Sequence, residues 1–187
     1  MARWTVDHSH TDIQFKVKHL MINTVTGSFT DFDVHVEAEG DEFADAHISF
    51  EARVASITTN NEMRDNHLRS DDFFNAEAFP TMSFVSTRFQ HLGNHVYTLE
   101  GDLTIRDITK HVKLDVVYGG MIVDPWGNIK AGFEAEGRVN RKEFGLMWNG
   151  ITEAGGVVVS DEVRLHLNVQ LVKSVEVESQ QEVEATS

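Results

Sequence analysis

The chain lacks cysteine altogether, which removes disulfides, thiolate zinc sites, iron–sulfur clusters and cysteine nucleophiles together. It has only 2 prolines and 13 glycines in 187 residues, so it is neither collagen-like nor a proline-rich extended chain. It has no run of lysine and arginine. Against 30 acidic residues stand 16 basic ones, giving a net charge of −14, and a nucleic-acid backbone would be repelled by that field. The same mean field argues against unaided docking on anionic lipid. No segment approaches the roughly 18 apolar residues of a membrane helix, so membrane insertion is not expected. A signal peptide needs an apolar stretch of about 7–15 residues behind a positive start, and here charge arrives by Asp7. A cytoplasmic chain is expected, or a periplasmic one if a leader has been removed.

What is present is alternation. Ile13, Phe15, Val17 and His19 alternate with Gln14, Lys16 and Lys18. Phe32, Val34 and Val36 alternate with Asp33, His35 and Glu37. The same rhythm runs through Ile48–Val54, Tyr97–Ile105, Val112–Tyr118, Ile129–Val139 and Val163–Leu171. One face of each run is apolar and the other polar, the mark of half-buried antiparallel strands. Turn signals separate the runs at Glu39-Gly40-Asp41, Leu92-Gly93-Asn94, Gly119-Gly120, Asp124–Asn128 and Ala154-Gly155-Gly156. Gly27, Gly101 and Gly137 fall within or beside strands, where bulges or bends that curl a sheet are expected. About eight long strands with one apolar face each fit a closed barrel, with a two-sheet sandwich as the alternative.

One segment breaks the rhythm. Residues 58–69 show no period of two, and Thr59 or Asn60 is placed to cap a short helix that has Glu62 in its first turn. A helical segment is expected near residues 60–75, and its neighbours Phe73 and Phe74 would bury aromatic surface over a cavity. The Asp71-Asp72 pair reads as a cap and not as a catalytic carboxylate pair. The chain divides into a domain over 1–173 and an acidic, frayed tail over 174–187.

Chemistry-bearing motifs are sparse. There is no nucleophile elbow, no H-E-x-x-H and no glycine-rich phosphate loop, so catalysis is not expected. Ten histidines leave a metal reading open through His8, His10, His19 and His111, although hydrogen-bonded or surface histidines are the simpler account and no metal site is assigned. Arg64, His67 and Arg69 are local cations beside the aromatic pair. They suit either the anionic or polar head of an apolar-tailed ligand or a surface ion network with Asp65, Asp71 or Asp72.

Several blocks together resemble the YceI-like family. They are Trp4-x-x-Asp7-x-x-His10-x-x-Ile13-x-Phe15-x-Val17-x-His19, then Val25-x-Gly27-x-Phe29-x-x-Phe32, then Ser56-Ile57-x-Thr59-Asn60. After these come Arg64-Asp65-x-His67-Leu68-Arg69-Ser70-x-Asp72-Phe73-Phe74 and Phe79-Pro80-x-Met82-x-Phe84. Gly101-x-Leu103-Thr104-Ile105 and Arg141-x-Glu143-Phe144-Gly145-Leu146 follow, and the resemblance covers about Trp4 to Leu171. Thr11 stands where the family usually has serine, and Arg106-Asp107-Ile108 fill a turn that usually carries glycine.

The resemblance implies an eight-stranded antiparallel lipocalin-like barrel that binds a polyisoprenoid, an isoprenoid quinone or a fatty-acid derivative, with no required cofactor. It also implies a homodimer, for which the sequence offers no interface. Strand parity then assigns Phe15, Val17, Phe50, Phe84, Leu103, Ile105, Phe133, Leu146 and Trp148 to the ligand cavity, with Phe73 and Phe74 beside it. His19, Arg64 and His67 are the candidates for a polar head.

Overall fold

A computed structural model describes residues 1–40, 43–150 and 158–174 of the chain. The chain opens with β1 (Ala2–Val6) and β2 (Asp12–His19), which are two halves of one long strand broken by a 3₁₀ turn at His8–His10. β3 (Asn23–Phe29) and β4 (Phe32–Glu39) run back along them, β3 on β2 and β4 on β1. β5 (Ala44–Arg53) pairs with β4, and the short β6 (Ile57–Thr58) pairs with β3. After the helix α1 (Glu62–Arg69) come four long strands: β7 (Thr81–Gly93), β8 (Val96–Ile105), β9 (Ile108–Val123) and β10 (Ile129–Asn140). The last strand is β11 (Val159–Lys173).

The order β1-β4-β5-β7-β8-β9-β10-β11 returns to β1 through Trp4↔Lys173 and Val6↔Leu171, and every pairing is antiparallel. Eight strands thus close a barrel, which decides against the sandwich. Closure is incomplete at one end only. There β6 pairs with β3, β7 pairs with β5, and α1 is inserted between β6 and β7 in the chain. This is the lid end of the barrel. The β2–β3 hairpin, the β8–β9 hairpin and the β10–β11 connection lie at the same end, and the β4–β5, β7–β8 and β9–β10 turns lie at the other.

The strand parity in the sequence survives as an inside and an outside. Val34, Val36, Ala52, Leu103, Leu114 and Ala135 are all buried, and their neighbours in sequence are more exposed, although Thr98 beside Leu99 is buried as well. Some expectations need correction. Gly119 and Gly120 are not a turn. They lie within β9 at a register shift opposite Gly132 and Phe133, and the chain reverses at 124–128 instead. Val54 belongs to a 3₁₀ turn after β5 has ended. α1 is capped by Asn61, whose side chain accepts the Arg64 N–H, so neither Thr59 nor Asn60 is the cap. Among the three strand glycines, only Gly101 sits beside a register shift. The Ala154–Gly156 turn, Asp41 and tail residues 175–187 lie outside the described residues. Ser174 donates its N–H to Arg3 O at 2.8 Å.

Candidate functional site: an enclosed apolar cavity

The barrel encloses a cavity of about 240 Å³. Its wall includes Phe15, Val17, Phe50, Phe84, Leu103 and Ile105 from the barrel, with Phe133 toward the floor. Leu68, Phe73, Phe74, Phe144 and Leu146 close it at the lid end. Chain parity explains the barrel wall, since Phe15, Val17, Phe50, Phe84, Leu103, Ile105 and Phe133 are on the inner sides of strands. The hollow itself has a less obvious cause. Phe15 is paired directly with Gly27, and a Cβ on Gly27 would come 2.2 Å from the Phe15 ring. Phe84 lies in the same way over Gly101, where a Cβ would meet its ring at 2.4 Å. The two glycines let large rings fold back against the sheet, which leaves the centre of the barrel unfilled.

The floor is aromatic. Phe43 packs against Trp4 (5.1 Å between centroids), edge-on to Phe133 (4.9 Å) and near Tyr118 (5.7 Å). Sequence reasoning missed Phe43, because it lies in a turn with φ +55° and no periodicity marks it. Phe29, Phe89 and the inward face of β11, including Leu165 and Leu167, also line the cavity. Their alternation signalled a core but could not separate a full interior from a hollow one.

The polar candidates are placed elsewhere. The Arg64 Nε donates to Thr59 Oγ1 at 2.8 Å and its Nη2 to Thr59 O at 2.9 Å. His67 Nε2 lies 2.8 Å from Asp72 Oδ2, and its ring packs edge-on against Trp148 and Phe73. Trp148 is therefore part of a clasp over the lid and does not line the cavity. His19 has the parity of Phe15 and Val17 but lies at the hairpin end, paired with Asn23 and off the cavity wall. Arg69 donates to Ala55 O and Ile57 O, which ties α1 to the preceding strand. Asp65, buried, accepts from Thr59 N and Thr59 Oγ1. These side chains hold the lid in place.

One buried cation was legible only as part of a motif. Arg141, 3% exposed, reaches the cavity wall beneath the Phe73 ring. Its Nη1 donates to Leu146 O and Trp148 O, both at 2.7 Å, its Nε to Ser160 O at 2.9 Å, and its Nη2 to Val159 O at 3.3 Å. Burial lowers its pKa, against the opposing attraction of Asp161. The guanidinium is spent on stitching the 141–149 segment to the start of β11. Arg106, in the β8–β9 turn, has φ +57° and donates to Phe73 O and Gly145 O. It joins the lid to that same segment.

The histidines do not converge. His8 and His10 lie in a 3₁₀ turn, not on a strand; His8 donates to Phe32 O, and His10 lies 3.0 Å from Asp7. His111 lies beside Glu100 and Asp102 on the outer wall. Among the described residues, only Glu134, Glu136 and His166 bring three metal-ligating groups together. They sit on the outer wall of β10 and β11, where His166 is already paired with Glu134 at 2.8 Å.

The architecture defines a closed antiparallel β-barrel with a lidded apolar interior, the build of a barrel that holds one small ligand. The chain belongs to the YceI-like domain family, whose model matches residues 4–171. It is similar to a UPF0312 protein of Staphylococcus aureus, 34% identical over 171 residues that cover 91% of this chain and 97% of the relative. A UPF0312 protein of Staphylococcus epidermidis is 36% identical over the same coverage. Among solved structures, the Campylobacter jejuni YceI protein is 30% identical and superimposes with a TM-score of 0.72, covering 91% of this chain and 97% of that one. Two more distant structures share the fold. Burkholderia cenocepacia BcnA is 21% identical with a TM-score of 0.77, covering 88% and 98%. A polyisoprenoid-binding domain from Saccharophagus degradans is 12% identical with a TM-score of 0.67, covering 91% and 98%.

Proposed function

We propose that this protein is a binding and carrier protein for a long-chain lipid held inside the barrel, and not an enzyme. The observation that carries the reading is the cavity, an apolar chamber inside the barrel with an aromatic floor and an aromatic lid. An apolar cavity of about 150 Å³ is already large enough to hold benzene and stay dry. This one is larger, and its wall extends from floor to lid along the barrel axis. Each methylene transferred into it contributes about 0.8 kcal/mol, so a long hydrocarbon binds well without polar contacts.

The lid cations give no support to recognition of an anionic head, because Arg64, Arg69, Arg106 and Arg141 donate to protein acceptors. The ligand class is therefore set by its tail: a polyisoprenoid, an isoprenoid quinone or a fatty-acid derivative. The family membership and the polyisoprenoid-binding neighbour agree with that class, although the neighbour's identity of 12% speaks for the fold alone.

The test is native mass spectrometry on protein purified without detergent, followed by organic extraction. A stoichiometric added mass that extracts as a prenyl chain or a fatty-acid derivative is expected. A bare chain that stays bare after incubation with prenyl lipids would overturn the reading in favour of a filled structural barrel.

A further inference from the structure

The lid end carries a feature that the cavity does not use. The β2–β3 hairpin turns through Leu20, Met21 and Ile22, three consecutive apolar residues, all exposed, with Ile22 at 82%. Leu20 and Met21 hold φ values of +54° and +60°, a region that favours glycine and asparagine over branched or long side chains. Two strained apolar residues at a solvent-facing tip have no packing reason to be there. The tip is nonetheless firmly held, with Leu20 N donating to Val158 O at 2.8 Å. Met63, 85% exposed on α1, and Met147, exposed beside the Arg141 stitch, add apolar side chains at the same end.

Behind the tip the sheet register assembles a basic patch that no run in the sequence announces. Lys16 on β2 is paired with Arg164 on β11, and Arg164 with Arg138 on β10, all three exposed on the outer wall. Lys18 and Lys142 adjoin this row. Residues 16–26, 138–150 and 158–164 together carry five cations besides the buried Arg141, and three carboxylates, in a chain whose net charge is −14. Glu162 pairs with Arg138, and Asp161 with Lys142. The opposite end of the barrel also exposes Ile122, Val123 and Trp126, but Glu39 and Asp45 flank its β4–β5 turn.

We propose that the lid end docks on the surface of an anionic lipid bilayer, with Leu20, Met21 and Ile22 entering the interface and the Lys16–Arg164–Arg138 row facing the headgroups. The inference extends the carrier reading, since cargo too apolar for water must be exchanged where a bilayer offers it, and the lid then faces the source. The mean charge argued against such docking. At about 0.1 M salt, however, screening acts over about 10 Å, so the local patch and not the whole chain sets the field at the contact. A second copy of the chain is the poorer occupant. The tip is convex, and a two-fold contact through it would bring two basic rows together.

The test is flotation of the purified protein with phosphatidylcholine vesicles, with and without phosphatidylglycerol, in 0.1 M salt. Binding is expected to the anionic vesicles only and to be lost at high salt. Ile22→Ser should weaken it roughly tenfold through lost apolar burial. Lys16→Gln with Lys18→Gln should weaken it at least as much, at about fivefold per cation. All three side chains are exposed, so an unchanged thermal midpoint confirms that the variants are folded. Their extracted lipid should equal that of the unsubstituted protein.

Docking is overturned if that protein ignores anionic vesicles, if it binds neutral ones equally, or if the variants bind as it does. A dimer dissolved by Ile22→Ser in sedimentation velocity would overturn it in favour of a second copy. The two readings fail separately. Empty protein that still docks sinks only the cargo, and loaded protein that never docks sinks only the surface.

Discussion

Asp7 shows how a single side chain sets the shape of the barrel. It sits where β1 gives way to β2, caps the 3₁₀ turn by accepting from Ser9 N, and binds Lys130 Nζ at 2.9 Å. Burial acts to raise its pKa, but the bonds from Lys130, Ser9 and His10 overcome this and hold the carboxyl well below the usual carboxylate range. A carboxyl with a depressed folded pKa adds stability that is fully present above its unfolded value, near 4, and is lost as pH falls toward the folded value. The urea midpoint of Asp7→Asn should therefore lie clearly below that of the unsubstituted protein at pH 7, and the gap should narrow by pH 3. A gap that stayed constant down to pH 3 would mean that Asp7 matters for its shape and not for its charge. Arg141 makes the contrasting case. Its hydrogen bonds go to backbone carbonyls and its carboxylate partner Asp161 is distant at 3.8 Å, so the stitch has little to lose in mild acid.

At the scale of elements, the lid is the part that stands outside the barrel's hydrogen-bonded ladder. α1 has eight residues, too few to be stable alone, and among them only Asp65 is buried. It is held by polar ties instead: Arg69 to Ala55 O and Ile57 O, Asp65 to Thr59, and Ser70 Oγ to His67 O. The strands beneath it belong to a closed hydrogen-bonded ladder. Local opening of α1 should thus cost much less than global unfolding. Arg69→Ala removes two charged hydrogen bonds to backbone, each worth about 1.5–3 kcal/mol. Amide exchange in α1 should accelerate by roughly tenfold or more, while the amides of β8 and β9 keep their protection. Equal acceleration in both would show that the lid and barrel open as one unit.

For the whole molecule, what could be read from the sequence was what repeats at short range. Alternation gave the strands, their inner faces and most of the cavity wall, because the side-chain period of a strand is a local property. At the ends of the barrel the lid helix and the Phe73-Phe74 pair were legible as a break in the alternation, but the contacts that fix those ends were not. Phe43 joins the floor from a turn, Arg141 finds its acceptors as far away as Val159 and Ser160, and the cations of α1 are consumed by Thr59, Ala55 and Ile57. The basic row across β2, β11 and β10 exists only once the register is fixed. Hollowness was equally hidden. It depends on Phe15 and Phe84 lying over glycines that are distant in sequence, and a list of apolar residues would look the same for a full barrel.

That hollowness can be probed by filling it. Phe84 lines the cavity wall with its ring already against Gly101, so the extra ring of Phe84→Trp must extend into the lumen. Phe133 is different, wedged among Phe43 and Tyr118 in the floor, and Phe133→Trp should overpack it at a cost of about 1–3 kcal/mol. Phe84→Trp should fold normally and extract with less lipid. A ligand at a hundred times its Kd adds about 2.7 kcal/mol of stability to a protein that binds it only when folded. Added prenyl lipid should accordingly raise the thermal midpoint of the delipidated protein and leave that of Phe84→Trp nearly unmoved. If both midpoints rise equally, the lipid is bound somewhere other than between the aromatic floor and the lid.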